Sequence, residues 1–203
     1  MKKIILASKS IDRSEILKRA GIPFETCITN IDEEKYKTSI SNAVELVQEL
    51  AKAKALFAKN KLSKNNLDAI IIAADTIVEL NREIIGKAYH EEQAFKILKK
   101  LMGKTHKLIT GITITETKNP KIIIDSDTTI VEFLELSDEE IWEYIKTNEW
   151  KERAGAYSIM DKASLFINKI NGSSSNVIGL PMHKIYKILR KEFGLNLFQI
   201  ESM

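Results

Sequence analysis

The chain has 203 residues, 44% hydrophobic and 29% charged, with only three prolines. That suits one large domain or two tightly packed lobes and excludes long disordered linkers. A formal net charge of +3 excludes nucleic acid as the main ligand but permits a local cationic pocket, and the single cysteine, Cys27, excludes a disulfide framework and a cysteine-rich zinc site.

Residues 3–7 are a short apolar run, read as a buried strand. Lys9 interrupts it well short of the roughly 7–15 apolar residues of a signal segment, and no later run approaches the roughly 20 that span a membrane. The expectation is a reduced, cytoplasmic protein with no membrane partner. A helix is expected from Ser10, a good N-cap, with Asp12 in its first turn and Ile16, Leu17 and Ala20 on one face. Gly21 and Pro23 end it. Residues 24–28 suit a second strand, and Asp32-Glu33-Glu34 opens a polar loop.

Residues 43–59 have helical spacing, with Val44, Val47, Leu50 and Ala51 apolar and lysines on the other side. Residues 69–74 read Ala-Ile-Ile-Ile-Ala-Ala and stop at Asp75, the pattern of a central strand buried on both faces. Residues 76–80 and 83–85 suit a hairpin around Asn81-Arg82. Residues 91–102 form an amphipathic pattern closed by Gly103, and 107–116 with 122–136 read as a long strand pair separated by Asn119-Pro120. Ser137 caps a helix to about Lys146, with Asp138, Glu139 and Glu140 in its first turn. Short strands and a loop at 171–176 follow Gly155, and a last helix opens at Pro181. The mixture of strands and helices, with neither repeat nor linker, gives an α/β fold with a mixed sheet.

Asp75 is the first candidate for chemistry. A carboxylate at the C-terminal end of a buried strand lies where open α/β sheets place ligand-binding groups, although a solvated strand end or a cap reads the same way. Glu33 supplies a second carboxylate, and Gly86-Lys87 a cation across the hairpin. Two carboxylates with a lysine suit a magnesium–triphosphate site, because Mg²⁺ usually takes one or two carboxylates plus waters and phosphate oxygens. Ser8-Lys9-Ser10 and Arg13 fill a strand-to-helix turn, where backbone N–H groups, a hydroxyl and an arginine can meet an anion. That turn lacks glycine, so it is neither a P-loop nor a dinucleotide fingerprint, and a plain capped helix fits it equally well. Lys52 and Lys54 add cations that a helix surface also explains.

Taken in order, these segments resemble the Maf family of nucleotide pyrophosphatases over nearly the whole chain. The resemblance rests on Leu6-Ala7-Ser8-Lys9-Ser10-Ile11-Asp12-Arg13, Asp32-Glu33, Leu50-Ala51-Lys52-Ala53-Lys54-Ala55, and Ala73-Ala74-Asp75-Thr76 with Ile85-Gly86-Lys87. Gly103-Lys104-Thr105-His106, Thr110-Gly111, Glu149-Trp150 through Tyr157, and the run from Gly172 to Pro181 continue it. It implies a single Maf-like domain over residues 1–203, built as a mixed twisted sheet flanked by helices with two lobes around a cleft, like the inosine triphosphatase group, and usually a homodimer. It implies hydrolysis of a nucleoside triphosphate to monophosphate and pyrophosphate with Mg²⁺ or Mn²⁺. Ser8, Arg13 and Lys54 would hold phosphates, Glu33 and Asp75 would serve the metal and the attacking water, Lys87 would stabilise transition-state charge, and Thr76 would contact substrate.

The C-terminal signature is closer to the branch acting on dTTP and UTP. Three positions depart from the family pattern: Ile11 for a proline, Asp12 for an arginine, and Met160-Asp161 for a glutamine-glycine pair. A methionine thioether cannot donate and accepts only weakly, so Met160 changes the end of the pocket expected to meet the base. Two other readings therefore stand beside the dTTP/UTP one: a pyrophosphatase for purine or modified-base nucleotides, and a nucleotide-binding regulator of cell division with weak catalysis.

Overall fold

The computed structural model describes residues 2–199. Its sheet has seven strands: β1 (Lys3–Leu6), β2 (Glu25–Thr26), β3 (Ala69–Leu80), β4 (Glu83–Ile85), β5 (Thr105–Glu116), β6 (Ile122–Phe133) and β7 (Ile167–Asn171). The order is β2-β1-β3-β5-β6-β7, with β4 paired to β3. β1 pairs parallel with β2 and β3, whereas β4 on β3 and β7 on β6 run antiparallel, so the sheet is mixed. The helices are α1 (Ile11–Arg19), α2 (Glu33–Ser39), α3 (Ala43–Ser63), α4 (Glu91–Leu101), α5 (Asp138–Lys146), α6 (Ser174–Ile178) and α7 (Met182–Phe193).

The chain divides into two compact units. One comprises Met1–Asp75, Thr110–Asp127 and Gly179–Met203; the other comprises Thr76–Ile109 and Thr128–Ile178. In the first, Ile5 of β1, Ala7 just after it, and Ala69, Ile71 and Ala73 of β3 pack with Ala55 and Ala58 of α3. In the second, α4 packs against α5, and Phe133, Tyr144, Tyr157 and Phe166 meet edge to face in its core. Aromatic edges and faces of opposite partial charge favour that arrangement.

Most expected elements form, and the departures have local causes. Helix α2 replaces the polar loop expected at Asp32: its side chain accepts from the Lys35 N–H as N-cap, and Glu33 and Glu34 fill the first turn, where the helix dipole favours carboxylates. β3 does not stop at Asp75 but continues to Leu80, because β4 pairs with Val78, Glu79 and Leu80. Asn81 (φ 52°) and Arg82 (φ 68°) make the two-residue turn between them, both in the left-handed region that such hairpins require. The second strand is only Glu25–Thr26, and the glycine-serine segment after Gly172 winds into α6 rather than staying a loop. Pro181 is the N-cap of α7 rather than its first helical residue. In α3 the lysines do not all face solvent: Leu46, Val47, Leu50, Ala51, Lys54, Ala55 and Ala58 are its buried residues.

Candidate functional site

Three elements of the first unit bring the cluster together. Ser8 follows β1 and is buried, and Ser10 caps α1 by accepting from the Arg13 N–H. The Ser8 Oγ accepts from the Ser10 N–H at 3.1 Å and from the Arg13 guanidinium at 3.2 Å, which leaves its own proton to donate. Arg13 also donates from Nε to the Gly179 carbonyl at 2.7 Å. Gly179 was not singled out as an anchor in the sequence, since a backbone carbonyl leaves no side-chain signature.

Lys54 reaches inward from α3. It is 8% exposed, as is Asp75, and its Nζ donates to Asp75 Oδ1 at 2.6 Å. The same ammonium lies 2.8 Å from Glu33 Oε1. One buried cation thus gathers two carboxylates from β3 and α2. A buried charge is tolerated only when paired in this way, so removing Lys54 takes the ammonium partner from buried Asp75. Arg13 belongs to the same electrostatic neighbourhood: burial lowers its pKa from the ordinary value, and attraction from Asp75, Glu33 and Asp12 opposes that shift.

The depth at which Lys54 sits is set by Gly111 of β5. A Cβ there would overlap the carbonyl carbon and oxygen of Val47 and come within 2.6 Å of the Gln48 nitrogen. The missing side chain lets α3 approach the sheet backbone closely.

Of the residues expected from sequence, the structure brings Ser8, Arg13, Glu33, Lys54 and Asp75 together in the first unit. Thr76 follows Asp75 on β3 and, by strand alternation, leaves the opposite face. Lys87 and Met160 belong to the second unit. There Lys87 makes a backbone bridge to Ala154, and its ammonium lies 3.5 Å from Glu152. Half-buried Met160 donates its N–H to Ser158 Oγ at 3.3 Å. Two further buried polar anchors of this unit were not picked out as site residues. His106 bonds the Tyr157 hydroxyl at 2.9 Å, with its pKa pulled down to about 4 by burial. Asn176 donates to the Leu108 carbonyl and to Thr129 Oγ1.

The donor set of the first unit fits a hard divalent cation. Asp75 and Glu33 offer two carboxylates to a single cation position, now filled by an ammonium. Among the described residues no group of three or more His, Cys, Asp or Glu converges as a metal cage. Mg²⁺ does not need one where substrate phosphates and water complete its shell. Among the described residues no helix is long and apolar enough to cross a membrane.

Relatives share this chain over nearly its whole length. A dTTP/UTP pyrophosphatase of Alkaliphilus oremlandii is 48% identical, covering 97% of this chain and 100% of its own. One from Thermoanaerobacter sp. strain X514 is 40% identical over 96% and 99%, and one from Clostridium tetani 42% over 95% and 98%. A solved structure described as the nucleoside-triphosphatase / dITP/XTP pyrophosphatase of Mycobacterium abscessus aligns over 64% of this chain and 72% of that one, with 9% identity and a TM-score of 0.34. The model of the family described as Maf-like protein matches residues 3–192, and the chain belongs to that family.

Proposed function

We propose that this protein hydrolyses a nucleoside triphosphate, dTTP or UTP, to its monophosphate and pyrophosphate. The observation that carries the reading is the Lys54 ammonium held by Asp75 and Glu33 in the unit that also anchors Arg13 on Ser8. The choice of base is supported by relatives up to 48% identical that are named for dTTP and UTP.

Pyrophosphate release breaks the anhydride between the α- and β-phosphates. The Ser8 hydroxyl and the planar Arg13 fork hold phosphate oxygens, and Lys54 neutralises charge that builds on the leaving pyrophosphate. Asp75 and Glu33 orient the attacking water and accept its proton. Asp75 and Glu33 would also hold Mg²⁺ or Mn²⁺, which supplies charge neutralisation at the phosphates when bound. Lys87 adds positive charge at the transition state, Thr76 contacts substrate, and Met160 shapes the base end of the pocket. We take residues 1–203 as one functional domain that acts as a cytoplasmic homodimer; light scattering of the purified protein tests the dimer.

A panel of canonical and modified nucleoside triphosphates, assayed for pyrophosphate with Mg²⁺, Mn²⁺ or chelator, tests the reading. The expected result is metal-dependent release, fastest with dTTP or UTP. Turnover restricted to purine or modified-base triphosphates would refute the choice of base. Binding without any turnover would refute the enzyme and leave the regulatory reading.

A further inference from the structure

The position of Lys54 conflicts with a simple role in holding phosphate. Its ammonium is buried and turned onto Asp75 Oδ1 and Glu33 Oε1, the carboxylates that suit the metal, at 2.6 and 2.8 Å. A divalent ion held by the same two carboxylates would claim the oxygen lone pairs that the ammonium now uses. Keeping Lys54 in place as well would set three positive charges against their two negative ones, with the ammonium and Asp75 both largely shielded from water, where like charges repel more strongly.

We propose that Lys54 occupies the metal position of the nucleotide-free protein, and that metal binding displaces its ammonium from Asp75 and Glu33 toward the phosphates. The inference rests on the metal-dependent reading above. Lys54 then serves twice. Before substrate arrives it keeps buried Asp75 and partly exposed Glu33 paired, and afterwards it supplies a cation beside Arg13 and Ser8. It also opposes binding of metal alone, so the metal enters most readily together with the triphosphate, whose negative charges give the expelled ammonium a new partner. A paired, buried lysine is in this respect a built-in competitor, because two cations claim the same lone pairs.

The test uses the nucleotide-free protein and Mn²⁺ followed by calorimetry and electron paramagnetic resonance. Lys54→Met is expected to bind Mn²⁺ at least tenfold more tightly than the unmodified protein, and adding Asp75→Asn to that variant removes the gain. Unchanged or weaker binding by Lys54→Met, while Asp75→Asn alone still loses Mn²⁺, overturns the exchange and leaves the metal site standing. Absence of Mn²⁺ binding in every variant, with or without a non-hydrolysable triphosphate analogue, overturns both.

A second measurement needs no variant with an emptied site. In ¹⁵N-lysine-labelled protein the Lys54 ammonium signal, assigned through Lys54→Arg, is expected to be narrow and protected without metal. It should shift or vanish at saturating Mg²⁺. A signal unchanged at saturation overturns the exchange.

Discussion

Replacing Gly111 by alanine tests how the fold sets the depth of Lys54. The added Cβ would overlap the Val47 carbonyl and approach the Gln48 nitrogen to 2.6 Å, all of them backbone atoms of α3 that no rotamer change can clear. Ordinary carbon contacts lie at about 3.5–4.0 Å, so the helix must retreat by roughly 1 Å. Overpacking of this kind costs about 1–3 kcal/mol, and a clash with helix backbone puts Gly111→Ala near the upper end, about 3 kcal/mol. With a urea slope of about 2 kcal/mol/M, the unfolding midpoint should fall by about 1.5 M. Lys54 lies two turns beyond Val47 on the same buried stripe and would move with it. A displacement of about 1 Å can cost about 100-fold in rate, so pyrophosphate release should drop steeply in protein that is still folded at low urea. An unchanged midpoint with unchanged turnover would refute the claim that this close approach positions the site.

Asp75→Asn should abolish pyrophosphate release while circular dichroism reports a folded chain, and a rate close to the original would remove Asp75 from the mechanism. Arg13→Lys keeps a charge but loses the fork that reaches both Gly179 and Ser8, so kcat/KM should fall by about 10- to 100-fold; steady-state kinetics measures it. Asn176→Ala removes the buried amide that donates to the Leu108 carbonyl and to Thr129 Oγ1 and should cost about 2 kcal/mol in urea unfolding. His106 is buried with its folded pKa lowered from 6.5 to about 4. Unfolding therefore takes up a proton between these values, and the contribution of His106 to stability, present above pH 6.5, is lost as pH falls toward 4. The loss is about 3 kcal/mol, and His106→Gln should flatten the dependence of the urea midpoint on pH in that window.

The sequence by itself determined what local chemistry governs. Serine caps at Ser10 and Ser137, the β-branched run before Asp75 and the Asn81-Arg82 turn each specify their element through groups only a few residues apart. The ordered motifs likewise named Ser8, Arg13, Glu33, Lys54 and Asp75 as candidates. Local chemistry misled where two signals competed. Asp32-Glu33-Glu34 looks like a solvated loop and equally like a capped first turn, and Asp75 looks like a strand end until β4 supplies partners for the residues beyond it.

Tertiary structure decided the rest. Lys54 carries the same charge as the lysines around it, and its place one heptad after Val47 puts it on the buried face of α3. Whether a lysine there is a defect or a site depends on what waits opposite. Asp75 from β3 and Glu33 from α2 meet it only because Gly111 lets α3 lie close against the sheet. Pairing across 21 residues in one direction and 21 in the other has no sequence period, so burial and charge compensation in the folded chain, rather than any local propensity, make these three residues one group.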